Sequence, residues 1–224
     1  MISTEQAKQY AEHTKLLLAE AGAIIEHDHF VYDSGEHGSG WIDKDVVNES
    51  TDRDEGLCGM LAEVIRDLGA EVVCGPATGG LIVSQWTAHA LGVESIFADH
   101  SDQPSAAPGG PLRGPFVLRR GYNKVVNGKR VVVVDDVINT GLALRQTADA
   151  VRENGGQVLG AAAIITRGNA TPADGGVTDL RYLLEYKIPS WPAAGCPLCT
   201  QGVPINTEYA HGAEFLAKQS QRNR

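Results

Sequence analysis

No apolar run in this 224-residue chain is long enough to span a membrane. The first fifteen residues contain no basic start followed by an apolar stretch, so no signal peptide is expected either. Positive charge is scarce. Lys and Arg number 19 against 28 Asp and Glu, a net charge of −9. A general nucleic-acid binder needs a basic face, so that class is excluded, and a polyanionic substrate has to be met by local cations or Mg²⁺ and not by a global field. Cysteine is limited to four residues. In a cytoplasmic protein with neither membrane nor nucleic-acid partner, which is the setting these absences imply, they are expected to be reduced thiols. Internal repeats and low-complexity tracts are absent. What remains is ordinary for a globular chain: 42% hydrophobic and 21% charged residues, in a length that allows one α/β domain with an appendage.

The most informative stretch is residues 131–141, VVVVDDVINTG. Four consecutive valines predict a strand buried on both faces, as inside a parallel sheet, ending at two acids. A short polar turn with Thr140 and Gly141 follows, and residues 142–152 read as a helix stopped by Gly155 and Gly156. Backbone N–H groups of a tight turn at a helix N-terminus can cradle a phosphate. Gly141 lets the backbone come close, and the Thr140 hydroxyl adds a donor. Ionised Asp135 and Asp136 are acceptors only, so they suit hydroxyl groups. A phosphate cradle beside two hydroxyl acceptors fits a ribose 5-phosphate.

Around this stretch the pattern alternates. Ser3 with Gln6 resembles a capping box, and residues 4–21 predict a first helix. Residues 29–32 give a short strand signal, and residues 34–40 read as a Gly-rich turn. Thr51 and Asp52 can start a helix whose apolar face is Leu57, Met60, Leu61, Val64, Ile65 and Leu68, ended by Gly69. Residues 71–74 predict a strand, residues 75–80 (GPATGG) a second Gly-rich loop, residues 81–91 a helix and residues 94–99 a strand. Residues 100–114, rich in Pro, Gly, Ala and Ser, form a long insert of the functional or mobile kind. Residues 157–166 and 180–186 complete the strands, and the tail from Pro189 reads as irregular. Helices alternating with buried strands predict a parallel sheet covered on both faces. The expected organisation is an N-terminal hood segment over residues 1–50, an α/β core over 51–188 and a C-terminal tail over 189–224.

Residues 131–141 resemble the phosphoribosyl-pyrophosphate (PRPP) motif of the type I phosphoribosyltransferases. The resemblance implies that family's α/β fold and a PRPP site built from Asp135, Asp136, Asn139, Thr140 and Gly141. It also implies a pyrophosphate loop at Ala77, Thr78 and Gly79, assisted by Arg119 and Arg120. Other segments are similar to orotate phosphoribosyltransferases in the same order along the chain. Ser34 and Gly35 before Trp41, Ile42, Asp43 and Lys44 match the amino-terminal segment, and residues 164–167 match the strand whose terminal Arg contacts orotate. Residues 196–199 (CPLC) with Gly202, Val203 and Pro204 are similar to the tail of one subgroup.

The resemblance therefore implies base binding by Arg167, Phe30 and Lys44, and catalysis involving Lys124, Arg120 and Asp136. It further implies Mg²⁺ carried by PRPP with Asp136 near it, and a homodimer. The reaction that the resemblance implies is transfer of the phosphoribosyl group of PRPP to orotate. Transfer to another base such as a purine, and a non-catalytic PRPP or nucleotide sensor, are the alternatives. Four features differ from the family pattern: Leu142 and Ala143 follow Gly141 where small and hydroxyl residues are usual, the basic loop is short and lacks a His, the usual basic residue of the amino-terminal Ser-Gly turn is replaced near His37, and Thr166 precedes Arg167. Cys196 and Cys199 have half of a zinc-site spacing, with His211 near them in sequence but no second Cys pair.

Overall fold

The computed structural model describes residues 2–32, 35–102, 114–168 and 170–222. In chain order the elements are α1 (Thr4–Glu20), β1 (Ile24–Val31), β2 (Glu36–Ile42), α2 (Thr51–Ile65), β3 (Val72–Pro76), α3 (Gly79–Leu91), β4 (Glu94–His100) and β5 (Phe116–Val117). They continue with α4 (Tyr122–Val126), β6 (Arg130–Ile138), α5 (Leu142–Glu153), β7 (Gln157–Thr166), β8 (Leu180–Glu185), β9 (Ser190–Pro192), α6 (Pro197–Thr200) and α7 (Gly212–Arg222). Two compact units result. One holds the residues up to Leu17 with Val47–Tyr186; the other holds Leu18–Val46 with the chain from Lys187 onward.

The larger unit is built on a six-stranded sheet in the order β5-β4-β3-β6-β7-β8. All neighbours are parallel except β5, which runs antiparallel on the edge. The valines of β6 explain its central place. Val131 packs with Val126 and with Val151 of α5, and Val133 packs with Leu144 and Ala148 of the same helix. Alternation along a strand turns Val132 and Val134 to the opposite face. All four are fully buried, so both faces of the sheet are covered. Helix α2 starts at Thr51 and passes into a 3-10 turn that Gly69 ends in the left-handed region, φ 68°. At the start of α1, Ser3 Oγ accepts the Gln6 N–H at 3.2 Å, the cap that the sequence predicts.

Two expectations change here. The strand of β6 does not stop at the acids. β7 extends to Thr166 and pairs with Asp135, Val137 and Ile138, which keeps the backbone extended to Ile138. The long insert falls mostly outside the described residues; its ends are His100, Ser101 and Asp102 on one side and Gly114 on the other.

The smaller unit is a three-stranded antiparallel sheet in the order β1-β2-β9. Residues 36–40, expected as a turn, are strand. Their glycines serve close packing: a Cβ at Gly38 would collide with the Tyr32 ring, and the Tyr32 hydroxyl donates to Gly40 O at 2.7 Å. The tail also departs from the irregular expectation, since it carries β9, α6 and α7.

Candidate active site

The strand order locates the crevice. From β3 the chain goes outward to β4, whereas β6 lies on the other side of β3 and leads on to β7. This reversal opens a gap at the carboxyl ends of β3 and β6, where α/β sheets bind ligands. A cavity of about 230 Å³ opens at the carboxyl end of β6, lined by Asp135, Asn139, Thr140, Gly141, His100 and Phe116 among others, and by no residue of β3 or its loop.

On the β6 side, Asp135 Oδ1 accepts the Asp136 N–H at 3.0 Å, and Asp136 Oδ1 accepts the Val137 N–H at 2.6 Å. Asp135 is 8% exposed and Asp136 more so. These bonds fix the two carboxylates near the end of a buried strand, and Asp135 lines the cavity. Gly141 then turns the chain into α5 with φ 80°. A side chain is excluded there twice: by that backbone conformation, and because a Cβ would stand 3.0 Å from the backbone of Asp174 and Gly175. Residues 171–176 thus brace the turn. Arg145 Nε donates to Asp174 O at 2.8 Å, and Arg152 Nη2 to Gly176 O at 2.6 Å. The Asp174 carboxylate accepts from the Thr171 hydroxyl and N–H at 2.6 and 2.8 Å, which holds its pKa below the usual carboxylate range. The first turn of α5 leaves its N–H groups without helical partners, facing the place where a phosphate would sit. Leu142 and Ala143 also line the cavity, so this wall is more apolar than a hydroxyl-bearing loop.

On the β3 side, Ala77 N–H donates to Ala98 O at 2.8 Å, and the Ala77–Thr78 peptide is cis. Thr78 is exposed and its side chain does not cap α3, which begins at Gly79. A Cβ at Gly75 would lie 1.8 Å from Gly80 O. The two glycines therefore let the helix start fold back against its own strand, beside β6.

The basic residues are spread out. Arg119 pairs with Asp102 at 2.9 Å. Arg120 pairs with Asp99 at 3.6 Å, with its guanidinium 5.6 Å from the centre of the Phe97 ring. Lys124 is exposed on α4, whose last residue, Val126, packs with Val131 near the amino end of β6. None of the three lines the cavity. Arg167 directly follows β7; its N–H donates to Ile138 O at 3.0 Å, which places it one step from Asn139 across the sheet. In the smaller unit, Phe30 is fully buried and its ring lies 6.4 Å from that of Trp41, so it packs and presents no face to a ligand. Lys44 is partly exposed and 3.8 Å from Asp45.

His100 was not singled out from the sequence. Its Nδ1 bonds to Gly114 O at 2.7 Å, and its ring stacks on Phe116 at 4.1 Å, forming one wall of the cavity. The available signal was its place at the end of a strand beside the switch point. Cys58 and Cys74 are buried, and burial pushes both thiols up to about 12, so they act as packing groups.

Residues 55–181 match the family model described as the phosphoribosyl transferase domain. The chain is 37% identical over 188 residues to an orotate phosphoribosyltransferase of Pelotomaculum thermopropionicum, covering 84% of this chain and 91% of that one. It is 40% identical over 188 residues to an orotate phosphoribosyltransferase of Brucella ovis, covering 83% and 90%. Among solved structures it resembles orotate phosphoribosyltransferase from Aeropyrum pernix, with a TM-score of 0.56 at 28% identity, over 77% of this chain and 93% of that one. With a crevice of this construction and matches of this extent, the chain belongs to the phosphoribosyltransferase family.

Proposed function

We propose that this protein is an orotate phosphoribosyltransferase, joining orotate to PRPP to give orotidine 5′-phosphate and pyrophosphate. The observation that carries the proposal is that β3 and β6, each leading through a loop into a helix, are neighbours at one switch point, with Gly80 at the start of α3 packed against Asp135. The names of relatives at 37% and 40% identity support orotate as the base.

In the reaction a ring nitrogen of orotate gives up its proton to water or to the departing pyrophosphate and forms a bond to C1 of the ribose. The bond from C1 to the pyrophosphate oxygen breaks, and its electron pair leaves with pyrophosphate. Positive charge builds on the ribose ring, as in other glycosyl transfers. Asp135 and Asp136 hold the ribose hydroxyls, and the turn Asn139, Thr140 and Gly141 holds the 5-phosphate. Ala77, Thr78 and Gly79 hold the pyrophosphate through backbone N–H groups and one hydroxyl. Arg119 and Arg120 offset its charge, with Lys124 the candidate for closing over it. Arg167 takes the orotate carboxylate.

The donor set also fits Mg²⁺. Carboxylate oxygens are its preferred protein ligands, and Asp136 is the more exposed of the pair. When bound with PRPP, Mg²⁺ neutralises charge on the leaving pyrophosphate. A homodimer in the cytoplasm completes the proposal. No helix among the described residues is long and apolar enough to cross a membrane.

The deciding experiment is a PRPP-dependent assay that follows loss of orotate absorbance, with a panel of other bases. Turnover of a purine in place of orotate would keep the chemistry and change the base. PRPP binding without pyrophosphate release for any base would make the protein a sensor. Sedimentation at working concentration tests the dimer.

A further inference from the structure

The smaller unit holds a second constellation that the transfer reaction does not use. His29 on β1, His37 on β2, and Cys196 and Cys199 flanking the start of α6 converge. One ligand atom from each lies within 4.8 Å of the other three. His29 Nε2 is 2.8 Å from His37 Nδ1 and 3.6 Å from Cys196 Sγ. Cys199 Sγ is 3.7 Å from His29 Nε2 and 3.3 Å from His37 Nδ1. His211, near the cysteines in sequence, is not in the cluster and pairs with Glu214 at 2.8 Å.

We propose that His29, His37, Cys196 and Cys199 form a structural zinc site. A tetrahedral zinc with nitrogen ligands at about 2.0–2.1 Å and thiolates at about 2.3 Å sets the ligands roughly 3.3–3.8 Å apart. Three of the four distances already fall in that range, and the nitrogen pair needs to open by about half an ångström. At His29 the second layer agrees. His29 Nδ1 is 2.8 Å from Val203 O, so it carries the proton and leaves Nε2 bare toward the cluster. His29, His37 and Cys196 are all buried at 1% exposure, and only Cys199 reaches the surface. Two imidazoles and two thiols packed together without a metal would set four strong ligands against one another, three of them buried. His37 Nε2 has no hydrogen-bond partner among the described residues, so the ring is not held in place by bonds on its far side.

The site has a structural rationale. Its ligands are separated by up to 170 positions in sequence. They tie the hairpin β1–β2 to the C-terminal segment. A three-stranded sheet has little core of its own, and a metal closing such a long loop supplies stability that packing does not. Four protein ligands leave no open position, which fits a structural role and not a catalytic one. A two-residue spacing between cysteines also suits a redox disulfide, but a disulfide would leave the two histidines unexplained.

The test uses the full-length protein, purified without added metal, and reads metal content and spectra instead of turnover. Elemental analysis is expected to find zinc at one per chain. Exchange with Co²⁺ is expected to give the visible bands of tetrahedral cobalt and a near-ultraviolet thiolate charge-transfer band. Thiol titration should show two further reactive cysteines once a chelator removes the metal, with Mg²⁺ present throughout so that any Mg²⁺ at the PRPP site is not the variable. Cys199→Ser should lose the charge-transfer intensity in part and release zinc more readily, whereas His211→Ala should change neither. If the Cys199 variant fails to fold, the cobalt titration of the unaltered protein still decides. A chain with no zinc that takes up no Co²⁺, or one found with Cys196 and Cys199 joined as a disulfide, would overturn the proposal.

Discussion

Gly80 sits against Asp135: a Cβ on Gly80 would lie 3.1 Å from Asp135 Oδ1 and 2.9 Å from Val134 O. The loop assigned to pyrophosphate and the strand assigned to ribose are therefore in direct contact, with no room between them for a methyl group. Gly80→Ala should push the two apart. Overpacking of this kind costs about 1–3 kcal/mol, and each kcal/mol lowers the melting midpoint of a domain this size by about 2–4 °C. The expected outcome is a loss of several degrees together with weaker PRPP binding, read by thermal unfolding and by calorimetric titration. Unchanged values for both would mean that the loop has space to move.

Replacing both Asp135 and Asp136 by Asn keeps an oxygen on each side chain. The bonds to the Asp136 and Val137 N–H groups can persist, so the fold should tolerate the change. The acceptors for the ribose hydroxyls lose their charge, and charge-assisted bonds are worth about 1.5–3 kcal/mol each. PRPP affinity is expected to fall on the order of 100-fold, since every 1.4 kcal/mol is a factor of ten. Calorimetry that returns the same affinity for the double variant would remove these residues from the ribose site.

Arg167→Ala separates base from PRPP. The backbone N–H of this residue, which bonds to Ile138 O, is unaffected by the change. Orotate differs from uracil by a carboxylate, which an Arg fork binds in bidentate geometry. Turnover of orotate should be lost while PRPP binding stays within a few-fold, and competition by uracil, which lacks the carboxylate, should be unaffected. Normal orotate turnover in this variant would return the assignment to a phosphoribosyltransferase of undefined base.

Lys124 and Arg120 can be told apart by kinetics. If Lys124 closes over pyrophosphate only as the bond breaks, Lys124→Ala lowers kcat and leaves KM for orotate nearly unchanged. Arg120 already rests on Asp99 and Phe97 close to the crevice. A larger loss of kcat in Arg120→Ala than in Lys124→Ala would move the catalytic charge to the segment before α4.

Acid stability should depend on Asp67. Arg181 of β8 bonds to its carboxylate, to Asp179 and to Val64 O, joining an edge strand of the larger sheet to the end of α2 and the turn after it. The bond from Arg181 holds the Asp67 carboxyl below its ordinary value. A carboxyl with a depressed folded pKa adds stability above its unfolded value, about 3.9, and loses it as pH falls through the folded one. Melting midpoints measured downward from pH 5 should therefore drop less steeply in Asp67→Asn than in the unaltered chain. Parallel curves would show that the pair contributes nothing.

The parts of the molecule readable from sequence were those in which local chemistry and tertiary demand coincide. Four valines in a row have only one economical use, a strand covered on both faces. Gly141 marks a left-handed turn, and Asp135 and Asp136 beside it fit a ribose phosphate. The alternation of elements along the chain made the fold class legible, and residues 131–141 became the proposed PRPP loop. Strand ends were less legible. β6 runs past its acids because β7 supplies partners as far as Thr166, and residues 36–40 are strand because Tyr32 packs over Gly38. The first partner lies 28 positions on from Ile138, at Thr166, and the second is a contact across a hairpin that the strand signal alone does not reveal. Phe30 looked like a candidate for base contact because it begins a family-like segment, yet burial in the small unit gives it to packing.

The sequence by itself thus singled out the residues proposed to carry phosphate and ribose chemistry, since functional groups at short spacing suggest those roles, and the family resemblance added the proposed carboxylate contact. The tertiary structure alone decided which distant groups meet. It set Gly80 against Asp135, made His100 a wall of the crevice, and brought His29 and His37 to Cys196 and Cys199 in place of the nearer His211. Contacts across more than a hundred residues depend on how strands and helices pack, and no local pattern encodes that.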